Sequence, residues 1–255
     1  MNKVIRAEFG RTINAGLIIA IAGIIFSICF DSFNDLIAGL RNGQGYVGYF
    51  FSNAAFGGMC THYMLPVFTA LPFSVSLCQE RNNKAVSYIV SREGKNRYIF
   101  AKFIVSAISG GFVAACGTVL LFLMLAMRFP IAGDEFEGAV VSDYFHEWSA
   151  VYYPQLYILT LSILAFCRGV IWSSLALCVS LYTSDFMVVL LSPFLGSYVL
   201  VRIFQIIRVP DMVRPDMILI GQVVIKSSGL TLLIAIAISL TIVTLIGAFF
   251  VGKMK

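Results

Sequence analysis

Charge is missing from this chain in blocks long enough to cross a membrane. No Asp, Glu, Lys or Arg occurs from Thr12 to Phe30, Asn42 to Gln79, Phe103 to Met127, Trp148 to Cys167, Phe186 to Val201 or Ser227 to Gly252. A further run, Gly169 to Thr183, follows the isolated Arg168. A spanning helix needs about 20 predominantly apolar residues, and these runs do not alternate as the short strands of a membrane barrel would. The chain is 59% hydrophobic and 12% charged, where a soluble domain carries about 25% charged residues. That balance excludes a disordered chain, a nucleic-acid binder and a secreted disulfide scaffold.

The expected fold is an all-α integral membrane protein, one domain over residues 1–255, with six transmembrane helices at about 13–30, 59–78, 103–127, 151–181, 186–205 and 229–251. The first run reads as a span rather than a cleaved leader, since no small-x-small site follows it. Basic residues gather at Lys3, Arg6 and Arg11, at Arg81, Lys84, Arg92, Lys95, Arg97 and Lys102, and at Lys253 and Lys255. With six spans, all three groups share one side, which places both termini in the cytoplasm. The third loop holds Asp134, Glu135, Glu137, Asp143 and Glu147 and reads as exterior. Arg202, Arg208, Arg214 and Lys226 dissent from the rule.

Histidine occurs only at His62 and His146, so helical zinc-protease chemistry is excluded and no metal site is expected. His146 sits within Tyr144-Phe145-His146-Glu147-Trp148, an aromatic belt before span four. Cys29, Cys60, Cys78, Cys116, Cys167 and Cys178 form no C-x-x-C pair and read as small packing residues. No N-x-Ser/Thr sequon occurs, which favours a bacterial source. Gly247 to Lys253 imitates a phosphate loop, but Met254 stands where Ser or Thr must hold magnesium. No nucleotide-binding domain is expected.

Two amphipathic elements flank the spans. At about 100° per residue, Ala85, Val86, Ile89 and Val90 share one helical face, with Lys84, Ser87, Tyr88 and Ser91 opposite and Gly94 as a stop. This helix lies either in the lipid interface or in the groove of a cytoplasmic partner. At the N-terminus, Met1, Val4, Ile5 and Phe9 share an arc that Glu8 interrupts, forming an elbow along the membrane surface.

The layout, together with Leu71-Pro72-Phe73-Ser74-Val75-Ser76-Leu77-Cys78-Gln79-Glu80-Arg81 and Gly94-Lys95-Asn96-Arg97-Tyr98-Ile99-Phe100-Ala101-Lys102, resembles the ABC-2-type permease family. That family supplies the membrane subunit of ABC exporters. It shows an acidic residue leaving span two, then a basic tract and Tyr-x-x-x-Lys entering span three. A large re-entrant hairpin that some members carry before span six is not obvious in Ile206 to Ser228. The resemblance implies a dimer of permeases, identical or related, in the plasma membrane, each docking a separate ATPase that carries ATP and Mg. It implies that Glu80, Arg81, Lys84, Tyr88, Arg92, Glu93 and Lys95 form the ATPase-coupling helix, with Glu80 at its start. The chain itself would bind no cofactor and catalyse nothing. Cargo would be apolar or amphipathic: a peptide, an antimicrobial, a drug or a lipid-like compound. A non-transporting scaffold or channel-like subunit is the alternative reading.

Midway along span four stands Arg168, at a cost on the order of 3 kcal/mol in hydrocarbon. Asp185 is roughly 25 Å away along a helix and cannot pair with it. Arg168 lines a substrate route or bonds between helices. Ala107, Gly111 and Ala115, beside Gly110, Ala114 and Thr118, make span three a close-packing surface, within one chain or between two. The glycine- and aromatic-rich stretch from Gly39 to Gly58 lies at the outer interface or dips back beside span two.

Overall fold

The computed structural model describes residues 2–42, 47, 50, 58–131 and 153–254. All regular structure among them is helical. The order is α1 (Asn2–Thr12), α2 (Ala15–Asp31), α3 (Phe33–Asn42), α4 (Met59–Ala70), α5 (Ser76–Asn82), α6 (Ala85–Glu93), α7 (Lys95–Ala126), α8 (Pro154–Val179), α9 (Phe186–Ile207), a 3-10 turn (Asp211–Val213), α10 (Pro215–Ile220) and α11 (Ser228–Met254). Four of these, α7, α8, α9 and α11, are long and apolar enough to cross a membrane. This is the architecture of a multi-pass membrane protein.

Local chemistry sets the ends. Asp185 caps α9 by accepting from the Met187 N–H at 2.8 Å. Pro154 and Pro215 open α8 and α10, where a missing N–H costs nothing. Gly94, at φ 84, separates α6 from α7, a backbone conformation that glycine adopts without strain.

The first expected span is α2, and α1 meets it at a bend of 57°. Asn14 pins the corner. Its side chain accepts from Leu17 N–H at 3.1 Å and donates to the carbonyls of Arg11 at 3.1 Å and Pro72 at 3.3 Å.

The second expected span is not one helix. It breaks into α4 and α5 around the turn at residues 71–75, and its helical path extends to Asn82. Pro72 withdraws a donor from the ladder there, while Pro66 is accommodated inside α4. The freed turn gains a polar tie: Ser74 donates to the Ser173 carbonyl at 2.9 Å and lies 3.0 Å from the Ser106 hydroxyl. Asp31, at the end of α2, accepts from the Cys60 and Thr61 N–H groups at 2.9 and 2.6 Å and so caps α4 from another helix.

The centre of the molecule is the antiparallel pair α7 and α8. Gly110 faces Gly169 and Ser173, Gly111 faces Phe166 and Val170, and Gly117 faces Ile24 of α2. The small residues of span three therefore pack within the chain. Span three begins earlier than expected, at Lys95, and α8 ends at Val179.

The segment between α9 and α11 also corrects the sequence reading. It folds back into the bundle, and Ile218, Leu219 and Ile220 of α10 are buried in the main core with Ile28, Leu161 and Leu164. Arg214 holds the fold-back together, pairing with Asp216 at 2.7 Å and Asp211 at 3.2 Å. Of the Gly39 to Gly58 stretch, α3 runs to Asn42, and Val47 and Phe50 are buried in the same core. Residues 43–46, 48, 49 and 51–57 of that stretch fall outside the described residues, as do the acidic third loop, His146 and residues 151 and 152 of span four.

Candidate functional site

Two charged centres stand out in this apolar bundle. The first lies where α1, α5 and the start of α7 meet. Glu80 is in the last turns of α5 and does not open the amphipathic helix; it is 2% exposed. Tyr98 donates to one of its carboxylate oxygens at 2.5 Å, and Lys102 pairs with the other at 2.7 Å. Arg11 also pairs with Glu80, and Lys102 reaches Glu8 at 3.0 Å and the Ser76 hydroxyl at 3.1 Å. Two carboxylates thus meet two cations, and the fully buried Lys102 is satisfied. Glu8, which interrupts the apolar arc of α1, is buried because Lys102 receives it.

The acidic residue and the Tyr-x-x-x-Lys spacing quoted above thus converge: Glu80, Tyr98 and Lys102 are one hydrogen-bonded unit.

The remaining residues of the expected coupling helix are divided. Arg81 donates to the carbonyls of Ser180 and Leu181 at 2.8 and 2.9 Å, just beyond the C-terminus of α8, where a cation is favoured. Lys84 takes a left-handed turn at φ 55 that ends α5 and starts α6. On α6, Val86, Ile89 and Val90 pack against Leu77, Tyr98, Ile99 and Phe250, so the chain covers this apolar face itself. Tyr88 points outward, 78% exposed. Arg92 and Glu93 lie in the last turn of α6, and Lys95 opens α7 on the surface.

The second centre is Arg168, midway along α8 and 6% exposed. Among the described residues, no side chain or carbonyl accepts a hydrogen bond from it or pairs with it. It lines a cavity of about 130 Å³ with apolar walls that include Ile171, Trp172, Leu175 and Ile242. His62, Val201, Asp216 and Ile220 belong both to this cavity and to an outer one of about 200 Å³, where Gln205, Gln222 and Arg214 make the wall polar. The two spaces adjoin along these shared residues, and together they make a vestibule bounded by α4, α8, α9, α10 and α11.

Sequence reasoning singled out Arg168 but missed its neighbours. Asp216 and Arg214 reach the vestibule only because α10 folds inward, and the signal for that was Pro215 and Gly221 bracketing an apolar Met217-Ile218-Leu219-Ile220. Glu8 and Arg11 gave no local signal, because their partners lie far along the chain.

The chain matches no protein-family model, no curated protein and no solved structure.

Proposed function

We propose that this chain is the membrane-spanning permease of an ATP-driven exporter of the ABC-2 type, moving an apolar or amphipathic cargo outward while a separate subunit hydrolyses ATP. In this reading the six spans are α2, α4 with α5, α7, α8, α9 and α11. The N-terminal elbow α1, the helix α6 and both termini face the cytoplasm, and the vestibule opens outside. The protein works as a dimer in a bacterial plasma membrane.

The observation that carries this reading is the arrangement of α6. Its apolar residues are occupied by the chain's own core, which leaves an exposed Tyr88 beside Lys84 on the outward face. A rigid aromatic surrounded by polar groups is a favoured anchor at protein interfaces. Behind it, the Glu80 cluster ties α5 to α1 and α7, so force on α6 would pass into the spans.

A photo-crosslinking amino acid placed at Tyr88 in native membranes tests this. The expected adduct is a protein bearing a complete phosphate loop, formed far more from Tyr88 than from exposed Met212. Adducts with lipid alone, or equal capture from both positions, would overturn the proposal.

A further inference from the structure

We infer that Arg168 is the head-group site for an anionic amphiphile, a molecule with a carboxylate or phosphate at one end and an apolar chain behind it. As a statement about cargo this rests on the permease reading; as a statement about binding it stands alone.

Three observations converge on it. Arg168 is buried, faces the cavity and has no partner among the described residues. A guanidinium in an apolar bundle needs acceptors, and its planar fork suits a carboxylate or phosphate in two-point contact. The other charges around the vestibule are already matched: Asp216 is engaged by Arg214 at 2.7 Å, and Arg214 also holds Asp211. The unmatched charge is therefore one positive unit, at Arg168.

The walls specify the rest of the ligand. The cavity that Arg168 lines is also walled by Ile171, Trp172, Leu175, Leu200 and Ile242, which offer contact and no hydrogen-bond acceptor to an alkyl chain. The inner cavity, at about 130 Å³, is close in size to an apolar cavity of about 150 Å³ that admits benzene. It holds a head group and the first carbons, and the chain continues into the outer space of about 200 Å³. Inorganic anions would gain the guanidinium but not the walls. Neutral alkanols would gain the walls but leave Arg168 unpaired.

Trp172 reports on the site directly. The chain has two tryptophans, Trp148 and Trp172, so Trp148→Phe isolates the one in the cavity. The full-length protein in nanodiscs is titrated with 11-bromoundecanoate, whose bromine quenches indole on contact, and in parallel with 11-bromoundecanol. Saturable quenching by the acid is expected, with the alcohol at least ten-fold weaker. Arg168→Gln is expected to abolish that preference and Arg168→Lys to keep part of it. Dodecyl phosphate should displace the acid, whereas inorganic phosphate should not. Equal quenching by acid and alcohol, or displacement by inorganic phosphate, would overturn the inference. The acid–alcohol comparison uses the native Arg168, so it decides even if Arg168→Gln fails to fold. Because the assay involves neither ATP nor a partner, its failure leaves the permease reading untouched, and absence of an ATPase leaves the binding result intact.

Discussion

Glu80→Ala is expected to destabilise the protein by about 3–5 kcal/mol, the usual consequence of removing one member of a buried charge pair. The loss arises on Lys102, which is fully buried and would keep Glu8 at 3.0 Å, Ser76 at 3.1 Å and the face of the Phe73 ring at 4.7 Å, but lose its closest carboxylate. Tyr98 would also lose its acceptor. At roughly 2–4 °C per kcal/mol for a chain of this size, the thermal midpoint in detergent falls by about 10 °C. The triple variant Glu8→Gln/Glu80→Ala/Lys102→Met removes all three buried charges and should recover most of that fall. If Glu80→Ala melted like the native protein, the cluster would not be holding α5 to α1 and α7.

Gly169→Ala is expected to disrupt the bundle centre. A Cβ at Gly169 would lie 2.4 Å from the Gly110 carbonyl oxygen and 2.9 Å from the Gly111 Cα. Those are backbone atoms, so no side chain can rotate away, and α7 and α8 must separate along their shared face. Overpacking typically costs about 1–3 kcal/mol, and a backbone collision at a helix crossing belongs at the top of that range or above it. Separation would also shift the adjacent Arg168. Gly252→Ala is the control, since nothing lies within 4 Å of its Cβ position. The prediction is a sharp fall in folded yield and thermal midpoint for Gly169→Ala, against no change for Gly252→Ala. Equal behaviour of the two would mean that the close approach of α7 and α8 is not needed.

Much of the fold was legible because membrane helices are written in long uncharged runs. The runs for α7, α9 and α11 correspond to single helices. The run from Asn42 to Gln79 misled, because hydropathy does not register that Pro72 withdraws a donor where the helix divides. The fold-back at α10 was hidden by its length: six residues are too few for a periodic signal, and only the Pro215 and Gly221 punctuation marks it. Arg168 was visible as a lone charge, and its vestibule was not, since Asp216 reaches it through a tertiary fold. The opposite error befell Glu80. The resemblance places it at the start of the amphipathic helix, whereas it is buried in α5, and that burial depends on Lys102 and Arg11, which no local pattern links to it.

The proposed permease works only with a partner that hydrolyses ATP, and purification of the tagged chain from its native membrane in mild detergent, with intact mass and peptide identification of what accompanies it, tests this. A complex containing two permease chains and stoichiometric copies of an ATPase with a complete phosphate loop is expected, with loss of that ATPase on Tyr88→Asp. Recovery of the chain alone, with no ATPase at any detergent concentration that keeps it folded, would overturn the proposed function.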